Sequence, residues 1–158
     1  GEGTTIQSNV VIGPKTKIGK NCLIMSGCTI GAQGFGPGRF EEEVLSMPHI
    51  GGVNISDNVE LGAGTIVDAG TIEPTKIKDF VKTGSLVHVA HNVVIGRGCF
   101  LAARSGLSGS VEVGENTFIG AGAMVRDGVR IGSGVTIGMQ SAVLSDIKKL
   151  CHNFPIYK

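Results

Sequence analysis

The sequence predicts an all-β chain: a parallel β-helix of six-residue repeats, three to a coil, in one domain over residues 1–158. Three observations predict it. A large aliphatic residue recurs every six positions through most of the chain. A small or β-branched residue stands two positions before each of them. Aromatic residues, which usually carry much of a core's area, number six Phe, one Tyr and no Trp against twenty-six Gly. A core without large rings is narrow and filled in layers.

The aliphatic column runs Ile6, Ile12, Ile18, Ile24, Ile30, then Ile55, Leu61, Val67, then Ile77, Thr83, Val89, Ile95, Leu101, Leu107, Val113, Ile119, Val125, Ile131, Ile137 and Val143. The companion column includes Thr4, Val10, Thr16, Cys22 and Cys28, and later Val81, Val87, Val93, Cys99, Ser105, Val111 and Thr117. Residues i and i−2 of a strand face the same way, and β-branched side chains suit such a surface. A period of six therefore reads as one short strand plus one corner. A glycine often follows the aliphatic, as at Gly13, Gly19, Gly96 and Gly114, and is expected to supply the backbone freedom of the corner. One coil cannot bury its inner face alone, so stacking supplies the core. The visible tracts make roughly six to seven coils, a prism on the order of 30 Å long at normal strand spacing. Helical spacing is not sustained in any window, and the even period argues against a sandwich.

Composition excludes several classes. Net charge is +1, so neither disorder nor nucleic-acid binding is indicated. No apolar run is long enough to cross a membrane and no signal peptide is visible. The chain starts at Gly1, in mid-pattern and without Met, which suggests a trimmed or partial chain. Cys22, Cys28, Cys99 and Cys151 form no C-x-x-C pair, so structural zinc is not expected. Three of them fall in the small-residue column and read as reduced packing residues of a cytoplasmic protein.

The period fails in two places. Residues 32–52 form an excursion, reading AQGFGPGRFEEEVLSMPHIGG, that is expected either to pack on a neighbouring subunit or to cover a cleft. From Val67 to Ile77 there are ten residues rather than twelve. This predicts two residues missing from a corner tightened at Pro74. A non-repeat tail covers about 146–158.

Of the histidines His49, His88, His91 and His152, two lie in SLVHVAHNVVIG. His88 should point outward from its strand and His91 should sit at the following corner. Both are surface positions, and a corner histidine is well placed to reach a groove. A zinc site built on these two is disfavoured, because residues i and i+3 across a strand and corner do not converge easily.

The segments NCLIMSGCTIGAQGFG, SMPHIGGVNISDNVELGAGTIVDAGTI and SLVHVAHNVVIG, in that order, resemble the UDP-3-O-acylglucosamine N-acyltransferases of lipid A biosynthesis. The likeness runs from about Ile6 to Val143. It implies that the coils are left-handed and that the protein is a cytoplasmic homotrimer with its site between neighbouring prisms. It implies acyl transfer from an acyl-carrier-protein (or CoA) thioester to the 2-amino group of a nucleotide-linked sugar, with no bound cofactor and no metal. It makes His91 of the AHN motif the general base. An amine must shed a proton as it attacks a thioester, and an imidazole can accept one near neutral pH. A backbone N–H of a glycine-rich corner could hold the oxyanion. The resemblance further assigns Gln33, Gly34, Phe35, Asp68, His88 and Asn92 to substrate binding. Arg104 and Met139 fall to the groove for the acyl-pantetheine arm.

The chain departs from that family in several respects. The family's uracil-binding N-terminal domain and C-terminal helical extension are not expected within residues 1–158. A second functional histidine aligns with Gly128, and an arginine that usually follows Asp68 is Ala69. The ending LSDIKKLCHNFPIYK is similar to that of shorter sugar acetyltransferases. These departures keep open a short-chain acetyl-CoA-dependent sugar acetyltransferase and a non-catalytic trimeric scaffold.

Overall fold

In a computed structural model of the chain, residues 1–148 are described; Cys151, His152 and most of the tail lie outside them. The described residues form a three-sided parallel β-solenoid. Its faces are sheets of seven, seven and six strands, each strand pairing with its counterparts in the coils above and below. Face one contains Leu23–Ile24, Glu60–Leu61 and Lys82–Thr83. Face two contains Thr29–Ala32, Ile66–Asp68, His88–Val89 and Gly106–Leu107. Face three contains Val53–Ile55, Thr75–Ile77, Val94–Ile95 and Glu112–Val113.

The two periodic columns are the core. Ile24, Ile30, Leu61, Ile77, Ile95, Leu107, Ile119 and Ile137 are completely buried, and so are Cys28, Val59, Val81, Val93, Cys99 and Val111 between them. The alternate residue of each strand points out. Ile6 and Ile12 belong to the inward column and are exposed at the edge of the described stack. Cys22, Cys28 and Cys99 are free and buried. Desolvation pushes the Cys28 and Cys99 thiols up, so both stay protonated and inert at neutral pH.

The glycines that follow the aliphatics do a different job from the one expected. The left-handed residue of each corner lies just before the small inward residue: Asn9, Asn21, Gly27, Asn58, Gly64, Leu86, Asn92, Arg104 and Ser110 all have positive φ. Asn, the side chain that best tolerates this region, fills many of these positions. Gly96 and Gly114 are glycine because of stacking. A Cβ at Gly96 would lie 2.7 Å from the Glu115 backbone nitrogen, and one at Gly114 2.5 Å from that of Ser133.

The ten-residue interval is an enlarged corner, not a tightened one. Val67 is on face two and Ile77 on face three, the next face, so ten residues span one side where six are usual. The pairing offsets agree. His88 pairs with Gly106, 18 residues on, but Ile66 pairs with His88, 22 residues on. Four residues are added, and the register slips where the strand leaves the ladder: Val67 pairs with Ile30 and Asp68 with Ala32, so the extra residue, Gly31, is on the facing strand. The excursion after Ala32 arises at this same corner, one coil below. Within it, Pro37–Phe40 and Glu43–Ser46 form an antiparallel hairpin turning at Glu41 and Glu42, a regular element within what the sequence presents as a loop.

The two insertions are joined through their backbones. Gly51 N–H donates to Gly70 O at 2.7 Å, Gly70 N–H to Gly52 O at 3.0 Å, Ile50 N–H to Thr71 O at 2.9 Å and Ala69 N–H to Ala32 O at 2.8 Å. Both departures from the repeat therefore build one structure on the corner between faces two and three. The next coil places His91 on that corner.

Candidate active site

His91 follows strand His88–Val89 and sits at the corner, half-buried. Asn92 beside it takes the left-handed corner conformation, with φ +61°. Its side chain is held from three directions. The Thr71 hydroxyl donates to Asn92 Oδ1 at 3.0 Å and the Thr71 backbone N–H at 3.3 Å, while Asn92 Nδ2 donates to the Glu73 carbonyl at 3.3 Å. A backbone N–H can only donate and a carbonyl can only accept, so the amide has one consistent orientation. His91 Nδ1 lies 3.0 Å from the same Oδ1 and must donate to it. The neutral ring thus carries its proton on Nδ1 and leaves Nε2 as a bare acceptor. That is the form a general base requires.

The ring lies along Gly109 of the next coil. A Cβ there would approach His91 Cε1 to 2.5 Å and Nε2 to 2.7 Å, so only glycine leaves room for it. On its other side stands His49, 8% exposed, from the end of the excursion. The two ring centroids are 4.8 Å apart and the planes are tilted by 52°. Gly34 packs over both. A Cβ at Gly34 would meet His49 Nε2 at 2.9 Å and His91 Cβ at 3.1 Å. Gln33 braces His49 by accepting its backbone N–H at 3.3 Å and donating from Nε2 to Met47 O at 2.7 Å and to His49 Nδ1 at 2.9 Å.

Gln33, Gly34, His91 and Asn92 therefore converge. Phe35 extends from the same loop, 85% exposed. Asp68 and His88 form a separate pair on face two. Asp68 is buried and its Oδ2 lies 3.2 Å from His88 Nε2. The hydrogen bond to Asp68 holds the His88 imidazole above its ordinary range, against an opposing effect of burial. His88 consequently stabilises the fold most below the ordinary histidine value near 6.5, and this contribution fades as pH rises through its raised value. Asp68→Asn should move the His88 titration midpoint, followed by its ring proton resonance, downward. It should also narrow the difference in thermal stability between acidic and alkaline pH.

Arg104 and Met139 do share a groove, of about 430 Å³, with Leu86, Gly122 and Gln140. It lies on the corner between faces one and two, away from His91. A second groove of about 610 Å³, lined by Lys15, Lys17, Asn54, Glu73 and Lys76, adjoins the His91 corner through Glu73, whose carbonyl holds Asn92. Ala69 is buried. Gly128 stands above Ser110 and Asn92 in the stack, while Asp127 stands two coils above His91, as the bonds from Ser110 N to His91 O and from Gly128 N to Gly109 O require. Among the described residues no three of His, Cys, Asp or Glu are placed to hold a metal ion, and no helix is long and apolar enough to cross a membrane.

His49 and Gly109 were not singled out by the sequence. His49 lies in the non-periodic stretch, where no column assigns it a direction. Gly109 is visible only by counting 18 residues on from His91.

A three-sided solenoid of hexapeptide coils, with six or seven strands to a face, defines the class, and sequence comparison supplies the family. The bacterial transferase hexapeptide family, described by six repeats, matches residues 1–32, 74–109 and 110–144, and the chain belongs to it. The unmatched stretch 33–73 holds the excursion and most of the enlarged corner. Among individual proteins, the chain is 47% identical over 105 residues to a UDP-3-O-acylglucosamine N-acyltransferase of Caulobacter vibrioides, covering 66% of this chain and 31% of that one. It is 43% identical over 98 residues to UDP-3-O-acylglucosamine N-acyltransferase 2 of Legionella pneumophila, covering 62% and 29%. The chain thus spans about a third of the length of the curated relatives it matches. A crystal structure of a UDP-N-acetylglucosamine acyltransferase superposes with a TM-score of 0.79 at 30% identity, over 92% of this chain and 55% of that one. The Francisella novicida UDP-N-acetylglucosamine acyltransferase gives 0.81 at 25% identity, over 90% and 50%.

Proposed function

We propose that the protein is an N-acyltransferase that moves an acyl group from a thioester of acyl carrier protein or coenzyme A to the amino group of a nucleotide-linked sugar, with His91 as general base. The observation that carries this reading is the state of His91: a corner imidazole whose Nδ1 is committed to Asn92 and whose Nε2 is free. The named activities of the relatives supply the substrate class. The amine attacks the thioester carbonyl as Nε2 takes its proton. Collapse of the tetrahedral intermediate expels the thiolate, which receives that proton from the imidazolium. Lys15, Lys17 and Lys76 offer ammonium groups for the diphosphate of a nucleotide sugar beside this corner.

The working assembly is a homotrimer in the cytoplasm. Outward residues of face two are largely uncharged, including Val11, Ile66, Gly106, Met124 and Ala142, which favours its burial against another copy. Closure through that face would let the Arg104–Met139 groove of one copy seat the acyl-pantetheine arm for His91 of the next. This accounts for the separation of the two within one chain.

The test offers acetyl-CoA and longer acyl-carrier-protein thioesters with UDP-linked amino sugars, and identifies products by mass spectrometry. An N-acylated sugar nucleotide is expected. Transfer from acetyl-CoA alone would make it a short-chain acetyltransferase. No turnover with any donor, in this chain or one extended to the relatives' length, would leave a trimeric scaffold. A monomer at micromolar concentration by sedimentation would remove the intersubunit site.

A further inference from the structure

His49 has a polar atom that the fold leaves without a partner. Its Nε2 is fully buried and makes no hydrogen bond. An orphaned buried donor or acceptor is destabilising, and such groups in native proteins are few. The bonding around Gln33 identifies which kind of atom it is. Gln33 Oε1 accepts the His49 backbone N–H and Gln33 Nε2 donates to Met47 O, so Gln33 Nε2 also donates to His49 Nδ1. With Nδ1 accepting, the neutral ring carries its proton on Nε2. His49 thus presents a desolvated N–H donor, and His91, 4.8 Å away ring to ring, presents a bare acceptor. The two imidazoles are locked in opposite tautomers by two separate side-chain amides.

The Nε2 edge lies against Gly34 and Gly36. A Cβ at Gly34 would come within 2.9 Å of that atom, and one at Gly36 within 3.5 Å. Gly34 is the glycine that lets the loop lie this close, and Gly34 and Gly36 on either side of Phe35 give it freedom to lift. Phe35 anchors little in the free chain, being 85% exposed.

We propose that His49 is a second catalytic residue, whose Nε2–H binds the carbonyl oxygen of the thioester and the oxyanion it becomes, once the Gly34–Gly36 segment shifts for substrate. The inference rests on the acyl-transfer reading above. As the amine nitrogen bonds to the thioester carbon, the C=O pair moves to oxygen and is held by His49. The amine proton passes to His91 Nε2. The pair returns to re-form C=O as the C–S bond breaks, and the thiolate takes the proton from His91. A donor already free of water is most effective against charge that develops only in the transition state.

The test compares wild type with His49→Phe, which keeps a ring and loses the donor, and His49→Gln, whose amide restores one. His49→Phe should lower kcat about 10²-fold, with KM for both substrates within about threefold. His49→Gln should recover most of that loss. Thermal melting of both variants reports whether the corner remains folded. A loss expressed in the sugar's KM, unchanged kcat, or equal losses in both variants would overturn the assignment. If wild type itself is inactive, the acyl-transfer reading fails rather than this one alone. Nitrogen-15 spectra of the imidazoles above pH 8 then still decide the donor state. They should show an Nε2-protonated His49 with a slowly exchanging proton and an Nδ1-protonated His91. An Nδ1-protonated His49 refutes the proposal.

Discussion

Replacing His91 with Ala should lower kcat for acyl transfer by about 10²–10⁴-fold, the usual contribution of a positioned general base, and leave the solenoid intact. Both halves of this expectation follow from the position. His91 is at a corner, outside the inward columns, so its removal takes nothing from the stacked core. Its backbone bond to the next coil, from Ser110 N–H to His91 O at 2.9 Å, survives the substitution. Among the described residues the chemistry has no evident substitute. Asp127 stands two coils above, and His88 is turned onto face two and engaged by Asp68. His49 carries its proton on the unpartnered nitrogen and bonds Gln33 through the other, so it cannot accept one without losing that bond. Parallel measurement of steady-state rates, melting temperature and sedimentation separates the outcomes. Retained turnover removes His91 from its role. Lost turnover together with lost assembly would make His91 structural.

The fold was legible because burial and period are the same fact in a solenoid. Each inward position is every sixth residue, and a sequence count finds it without any knowledge of the third dimension. The corner chemistry was less legible. A glycine after many of the aliphatics suggests a turn, yet Gly96 and Gly114 answer to the coil above, and the left-handed position is held at several corners by Asn9, Asn21, Asn58 or Asn92. Local sequence cannot tell a residue chosen for its own φ from one chosen for a neighbour 18 positions away. The enlarged corner was misread for a related reason. Counting by six shows that an interval of ten breaks the period, but two short sides and one long side give the same count. Only the pairing of Ile66 with His88 tells them apart. Within the site, His91 and Asn92 were visible as a motif. Their tautomeric state was not, since it depends on Thr71 and Glu73 of the enlarged corner. The Asp68–His88 pair joins two residues that were each visible but whose contact depends on the four added residues.

That dependence makes the enlarged corner the second point at which a small change should have a large effect. Gly70→Ala is expected to cost about 1–3 kcal/mol in stability, the range for forcing atoms into a filled site. It should also reduce acyl transfer about 10²-fold, the scale of loss when catalytic groups shift by an ångström. Gly70 has no part in the periodic core. An added Cβ would land on the Glu73 carbonyl oxygen and come within 3.0 Å of the Pro74 backbone, neither of which is the far end of a flexible side chain. The corner must therefore open. Opening it strains the bonds that Gly70 makes to Gly51 and Gly52, and so the joint between the two insertions. It also displaces Thr71 and Glu73, the partners that orient Asn92. His91 then loses the fixed acceptor that keeps the proton on Nδ1, while its own residue and its stacking on Gly109 are unchanged. The corresponding Gly96→Ala substitution strains stacking at a plain corner, where a Cβ meets the Glu115 backbone nitrogen at 2.7 Å, and should cost stability with a far smaller loss of rate per kcal/mol. If the two variants lose activity in the same proportion to stability, the enlarged corner is only a spacer. If Gly70→Ala loses far more, the insertion is part of the catalytic apparatus, holding in place the amide that keeps His91 a base.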